Sequence, residues 1–196
     1  MRTALLRIMS FKNRHKQLLV AMNLLFAAEV TQQMGASLTR PVNICEMKQF
    51  ENTSERIWTV RTTNPAHVRC LLDVKRLINQ EFIIFNRTFS SGRRRISIPL
   101  RGAFNTGDPS RMITTTLDRD LYSIERFLYT TWNCSCAVVK VVALNRGRIA
   151  YYDLRVRNSS VEFDIDPRCK RHFDWLAHGA RYIYNSVCQR NVYIGK

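Results

Sequence analysis

The stretch Cys136–Val156, CAVVKVVALNRGRIAYYDLRV, decides the fold. Two runs of β-branched and aromatic residues, Cys136–Leu144 and Ile149–Val156, flank Asn145-Arg146-Gly147, and this pattern predicts an antiparallel hairpin. Successive side chains on a strand point to opposite faces. Lys140 belongs in water, so Val138, Lys140 and Val142 face outward while Ala137, Val139, Val141 and Ala143 face inward. On the return strand Tyr151, Asp153 and Arg155 share one face, and Tyr152, Leu154 and Val156 share the other. The apolar face suits the underside of an external helix, which would put Asp153 and Arg155 inside a cavity. The same pattern also fits two charges that merely neutralise each other, within a barrel or on its surface.

Working outward, period-two patterning recurs along the chain. Ile57–Thr63 alternates with Trp58, Val60 and Thr62 on one face. Cys70–Asn79 and Phe82–Phe89 read as strands, Arg95–Pro99 as a short one closed by proline, and Ala103–Gly107 leads into a turn at Gly107-Asp108-Pro109. Met112–Leu117 and Tyr122–Thr130 complete the series. Short strands with turn residues between them indicate a meandering antiparallel barrel or sandwich. Near the N-terminus Asn43 and Glu46 fit the cap of a short helix. After Asp166-Pro167, an N-cap followed by proline, an apolar stripe of Phe173, Leu176, Ala177, Ala180 and Tyr184 predicts a helix from about Arg168 to Tyr184. The inferred architecture is mainly β, one barrel with a C-terminal α-helix packed outside.

The chain has 196 residues, enough for one domain, read as 38–196, plus a short leading segment. Basic residues run to Lys16 and the apolar stretch Gln17–Ala28 follows, so residues 1–28 read as an export signal, too short to span a bilayer. Six cysteines (Cys45, Cys70, Cys134, Cys136, Cys169, Cys188) all lie beyond it. In an exported chain they imply three disulfides among about 15 pairings. Sequons at Asn52, Asn86 and Asn158 are candidate glycosylation sites, and a fourth at Asn133 sits beside a cysteine. Secretion to the extracellular space is the expectation these features share.

The net charge is +16. Removing residues 1–28 takes away five of the 31 basic residues and none of the 15 acidic ones, leaving +11. Such a surface attracts heparin-like polyanions and anionic ligands. The run Arg93-Arg94-Arg95, flanked by Arg87 and Arg101, either holds sulfate or phosphate groups or is a solvated loop that keeps a sheet edge soluble. No nucleic-acid reading motif is present. His67, His172 and His178 neighbour no nucleophile motif, and six residues separate the last two, which does not align them for a metal. Cys134-x-Cys136 is too tight for the usual metal or redox spacing. The expectation is therefore a monomeric binding protein, not an enzyme, with no metal and no cofactor.

The succession Cys136-Ala137-Val138, Tyr152-Asp153-Leu154-Arg155-Val156, Asn158-Ser159-Ser160, Cys169 and Tyr184…Cys188 resembles the tick salivary lipocalins of the histamine-binding family, from the Trp58 strand to the C-terminus. The resemblance implies an eight-stranded antiparallel barrel, secretion in saliva, and sequestration of a small host mediator that blunts host defence. It also implies pairing of Cys70 with Cys188 and of Cys136 with Cys169, leaving Cys45 and Cys134 for a third bridge. Amine-binding members resemble Cys-Asp-aliphatic and then Glu-Leu-Trp or Glu-Leu-Tyr. Here Ala137, Asp153 and Arg155 stand at the Asp, Glu and aromatic positions. A guanidinium in that place disfavours a second cation. Histamine or serotonin would then need other acids, such as Asp73, Asp118 or Asp120, in the cavity. A fatty acid or eicosanoid with Arg155 as carboxylate partner is the favoured ligand. The expected ligand-binding residues are Trp58, Ala137, Val139, Val141, Tyr151, Asp153 and Arg155.

Overall fold

The computed structural model describes residues 45–191 apart from residue 146. The expected export segment 1–28 and the expected capping role of Asn43 lie outside the described residues. Eight strands, β1 (Ile57–Thr62), β2 (Arg69–Ile78), β3 (Phe82–Ser91), β4 (Arg94–Phe104), β5 (Arg111–Thr116), β6 (Leu121–Thr130), β7 (Cys136–Ala143) and β8 (Ile149–Arg157), form an antiparallel meander. β1 pairs with β8 on one side and with β2 on the other, through Ile57↔Asp73 and Trp58↔Leu72, so the sheet closes into a barrel. Closure removes the sheet edges that would otherwise recruit other chains.

Among the described residues, four short helices accompany the barrel: α1 (Met47–Glu51), α2 (Asn158–Phe163), α3 (Pro167–Leu176) and α4 (Val187–Asn191). α1 plugs one end. Its N-terminus carries a reciprocal capping box between Glu46 and Gln49, and its Met47 and Phe50 are fully buried. Phe50 meets Phe127 edge-on at 5.3 Å, and Arg157 donates to the carbonyls of Gln49 and Phe50. α3 begins as the sequence predicts, with Asp166 accepting from the Arg168 amide and Pro167 in the first turn. It packs on β7 and β8 over Val138, Leu154 and Val156.

The helix is shorter than its periodicity predicts. Gly179 adopts a positive φ of 73°, and the chain then forms a ninth strand, β9 (Arg181–Tyr182), on β1 where β2 has turned away. Ala180 and Tyr184 still pack on the same outer core as Phe173, which is why they extend the helical stripe without being helical. β4 also differs from expectation, because it runs straight through Pro99 to Phe104. β5 pairs with β4 only from Leu100 onward, so Pro99 occupies a stretch of β4 with no neighbour on that side. A missing N–H costs nothing there.

Three disulfides, Cys45–Cys134, Cys70–Cys188 and Cys136–Cys169, tie α1 to the β6–β7 turn, α4 to β2, and α3 to β7. Each closes a loop long enough to contribute about 2–4 kcal/mol.

Candidate functional site: the barrel interior and its mouth

The inward face of the barrel is built in three layers. Nearest α1 is an apolar layer in which Ala137, Val139 and Val141 pack with Phe85, Leu100 and Met112. The hairpin alternation is as read from the sequence, since Lys140 is exposed and Val138 lies outside beneath α3.

The middle layer is ionic. Arg87 on β3 holds both oxygens of Asp73 through Nε and Nη2, at 2.9 and 2.7 Å, and donates from Nη1 to Glu125 Oε1 at 2.8 Å. Arg155 on β8 donates to Glu125 Oε2 at 2.5 Å and to Asp153 at 3.4 Å. Thr62 donates to the other Asp153 oxygen at 2.6 Å, and Ser123 to Glu125 at 3.0 Å. All five charged groups are buried. Such groups survive in a low-dielectric interior only when paired and hydrogen-bonded. Burial would raise the Glu125 carboxyl, but Arg155 and Arg87 hold it well below the usual carboxylate range. Asp153 is raised by its burial, which Arg155 and Thr62 only partly offset. Burial would likewise depress both guanidiniums, yet the acids keep Arg87 and Arg155 charged. Glu51 approaches from α1, and burial with the nearby Asp73 charge pushes its carboxyl up to about 8. With Glu51 neutral, three carboxylates face two guanidiniums.

The outer layer is a cavity of about 510 Å³ at the mouth, opposite α1. Its walls are apolar, from Val68, Leu71, Phe89, Ile96, Ile98 and Ile149. Arg87 and Tyr151 supply polar groups from the ionic layer, and burial with the Asp153 charge raises the Tyr151 hydroxyl far above its ordinary range. The β1–β2 loop, residues 63–68, forms one rim. Asn64 turns it by accepting from the Ala66 amide, and Arg181 donates to the carbonyls of Asn64 and Ala66. No carboxylate lines this cavity among the described residues.

Of the seven residues expected to bind a ligand, only Tyr151 reaches the cavity. Ala137, Val139 and Val141 face inward but are filled over by the apolar layer. Asp153 and Arg155 face inward and are spent on the network, Arg155 being 1% exposed. Trp58 lies outside the barrel wall, its indole N–H donating to Asn158 at 2.8 Å and its ring against Tyr184. The expected grouping of Trp58 with Thr62 fails because a bulge between Thr59 and Arg61 reverses the alternation, turning Thr62 inward to Asp153. Arg87 and Glu125 are interior residues beyond the expected set. Their signal was there: Arg87 shares parity with Phe85 and Phe89, and Glu125 with Ser123 and Phe127. Of the alternative acids, Asp73 enters the interior, while Asp118 and Asp120 are exposed on the β5–β6 turn. Among the sequons, Asn52 is exposed at the end of α1 and Asn86 half-buried on β3, whereas the Asn158 amide bonds Trp58, Gln189 and Glu162.

No family model and no curated protein sequence matches the chain. Solved structures do resemble it. A serotonin complex of AM182 superposes with a TM-score of 0.57 at 19% identity, over 73% of this chain and 92% of that one. Japanin from Rhipicephalus appendiculatus, bound to cholesterol, gives 0.52 at 9% identity, over 69% and 96%. Apocrustacyanin C2 gives 0.50 at 12% identity, over 76% and 93%. The fold is lipocalin-like.

Proposed function

We propose that this chain is a secreted carrier that sequesters a small, largely apolar mediator in the mouth of its barrel, with a fatty acid or eicosanoid as the favoured ligand. The observation that carries this reading is Arg87, the charged side chain on the floor of a cavity whose lining holds no carboxylate. Asp73 and Glu125 take three of its donors, and a guanidinium has about five. A carboxylate head can accept the rest, together with the Tyr151 hydroxyl, while its chain lies against Phe89, Ile96 and Ile98. Arg155, favoured from sequence, is replaced in this role because it is buried beneath the cavity and does not line it. The cavity lies within the usual range for small-molecule sites, roughly 300–1,000 Å³. Three disulfides and the export segment support an extracellular setting. The family resemblance supplies the biological reading, removal of a host mediator.

Biogenic-amine binding is the second reading, favoured by the excess of one carboxylate in the ionic layer and by the serotonin held in a protein of similar fold. An amine would have to pass Arg87 to reach Glu125 or Asp153. Titration with an arachidonate-type fatty acid and with histamine and serotonin separates the two. The proposal expects the lipid to bind and Ala143→Trp, which fills the cavity rim, to abolish binding. Tight amine binding without lipid binding would overturn it.

A further inference from the structure

We propose that the outer face of the β3–β4 hairpin, with the groove between it and β9, binds a linear sulfated polysaccharide. This goes beyond the small-ligand reading and uses a different surface. Between Phe82 and Gly107 the sequence has five arginines and no acidic residue. Arg87 points inside the barrel, and Arg93, Arg94, Arg95 and Arg101 are carried on the hairpin.

Strand register says where they point. Phe89 pairs with Ile96 and both line the inner cavity, so Ser90, one residue along, faces outward with its partners Arg95 and Arg69. Neighbouring strands lie about 4.8 Å apart, so this row sets two exposed arginines roughly 10 Å apart with a serine hydroxyl between them. One row nearer the middle of the barrel, the Thr88 and Ser97 hydroxyls bond each other at 3.0 Å. Beyond the row, Gly92 turns the hairpin with a φ of 59° and carries the exposed Arg93 and Arg94 beside it.

The row opens onto a groove of about 440 Å³ lined by His67, Arg69, Ser90, Gly92, Arg181 and the exposed ring of Tyr182. No carboxylate lines it among the described residues. The combination is cations at sheet spacing, donor hydroxyls, and a flat aromatic ring on which a sugar can rest. Guanidiniums bind sulfate groups through paired N–H donors. A lipid surface would be met by apolar side chains at the hairpin tip, and this tip is glycine and arginine. Disulfides place the chain among extracellular polyanions, where sulfated sugars carry the charge.

The test is retention of the full chain on immobilised heparin. The wild type should elute well above physiological ionic strength, about 0.15 M. Arg69→Ser/Arg93→Ser/Arg94→Ser should elute near it. Lys140→Ser/Arg168→Ser/Arg171→Ser removes the same charge from β7 and α3 and should elute almost as the wild type does. Equal losses in the two variants would reduce the effect to net charge and overturn the proposal, as would wild-type elution at physiological salt. Stronger binding to phosphatidylserine vesicles than to heparin would also overturn it. Amide-exchange protection by a heparin oligosaccharide tests the site without any variant: protection over 67–95 and 181–183 supports it, and protection confined to α3 refutes it.

Discussion

Arg87 and Arg155 grip opposite oxygens of one buried carboxylate, Glu125, at 2.8 and 2.5 Å. The two arginines come from β3 and β8, and Asp73 and Asp153 close the far side of each. The bond set joins β2, β3, β6 and β8 across the barrel, so the middle layer acts as a cross-brace between the apolar plug and the cavity. Removing one member should be far worse than removing a pair. Glu125→Gln removes the charge both guanidiniums share and turns one of their two acceptors into an NH2 donor, and should cost about 3–5 kcal/mol in urea unfolding. Glu125→Met with Arg155→Met should cost clearly less than the sum of the single changes. Additive costs would mean the brace is not coupled.

Stability should depend on pH through Glu51. Its carboxyl ionises near 4.5 unperturbed and at about 8 in the fold, burial being the main cause. Between these values the folded chain holds a proton that the unfolded chain has lost, so this group's contribution falls as pH rises from 4.5 to 8 and is level above that. Glu51→Gln should flatten the profile and raise stability at pH 8 by roughly 2–4 kcal/mol. Asp153, also raised, leaves part of the slope in place. Glu125 runs the other way, because its depressed value gives stability that is full above the ordinary glutamate range and lost in strong acid. Parallel profiles for wild type and Glu51→Gln between pH 5 and 8 would contradict this account.

Arg181 ties the rim of the cavity to β9, and the Cys70–Cys188 bridge holds that region against β2. Arg181→Ala should cost only about 1–2 kcal/mol in overall stability, since it removes hydrogen bonds from the periphery. Ligand dissociation, followed by stopped flow, should speed up several-fold because residues 64–68 lose their anchor. An unchanged dissociation rate would show that the loop needs no clamp.

Asn158 is a structural partner as well as a sequon. Asn158→Ala orphans the indole N–H of the fully buried Trp58 and should lower stability by roughly 1–3 kcal/mol. Adding Trp58→Phe should recover part of that loss. In material secreted from a eukaryotic cell, intact-mass analysis should find glycan at the exposed Asn52 before Asn158.

Much of the fold was legible because burial is one-sided. Lys140 amid valines fixed the inward face of β7, and the Asn-Arg-Gly turn fixed the hairpin. Asp166-Pro167 marked the start of α3. The end of that helix was not legible, since Ala180 and Tyr184 serve the same outer core from a non-helical segment. The site was harder to read. Asp153 and Arg155 share one face of β8 by alternation, which left ligand contact and mutual neutralisation equally open; their partners Asp73, Arg87 and Glu125 come from three other strands, and no local spacing announces such convergence. Trp58 went to the wrong side of the wall because a single bulge in β1 is invisible to alternation. Six cysteines likewise carry no pairing in their spacing.

The central claim is tested most directly by calorimetric titration of the full chain with an arachidonate-type fatty acid, histamine and serotonin in parallel. The account predicts one lipid per chain, competition among lipids, no comparable amine binding, and loss of the lipid signal in Ala143→Trp with the fold intact. Binding of an amine at one per chain, with no heat from the lipid, would contradict it.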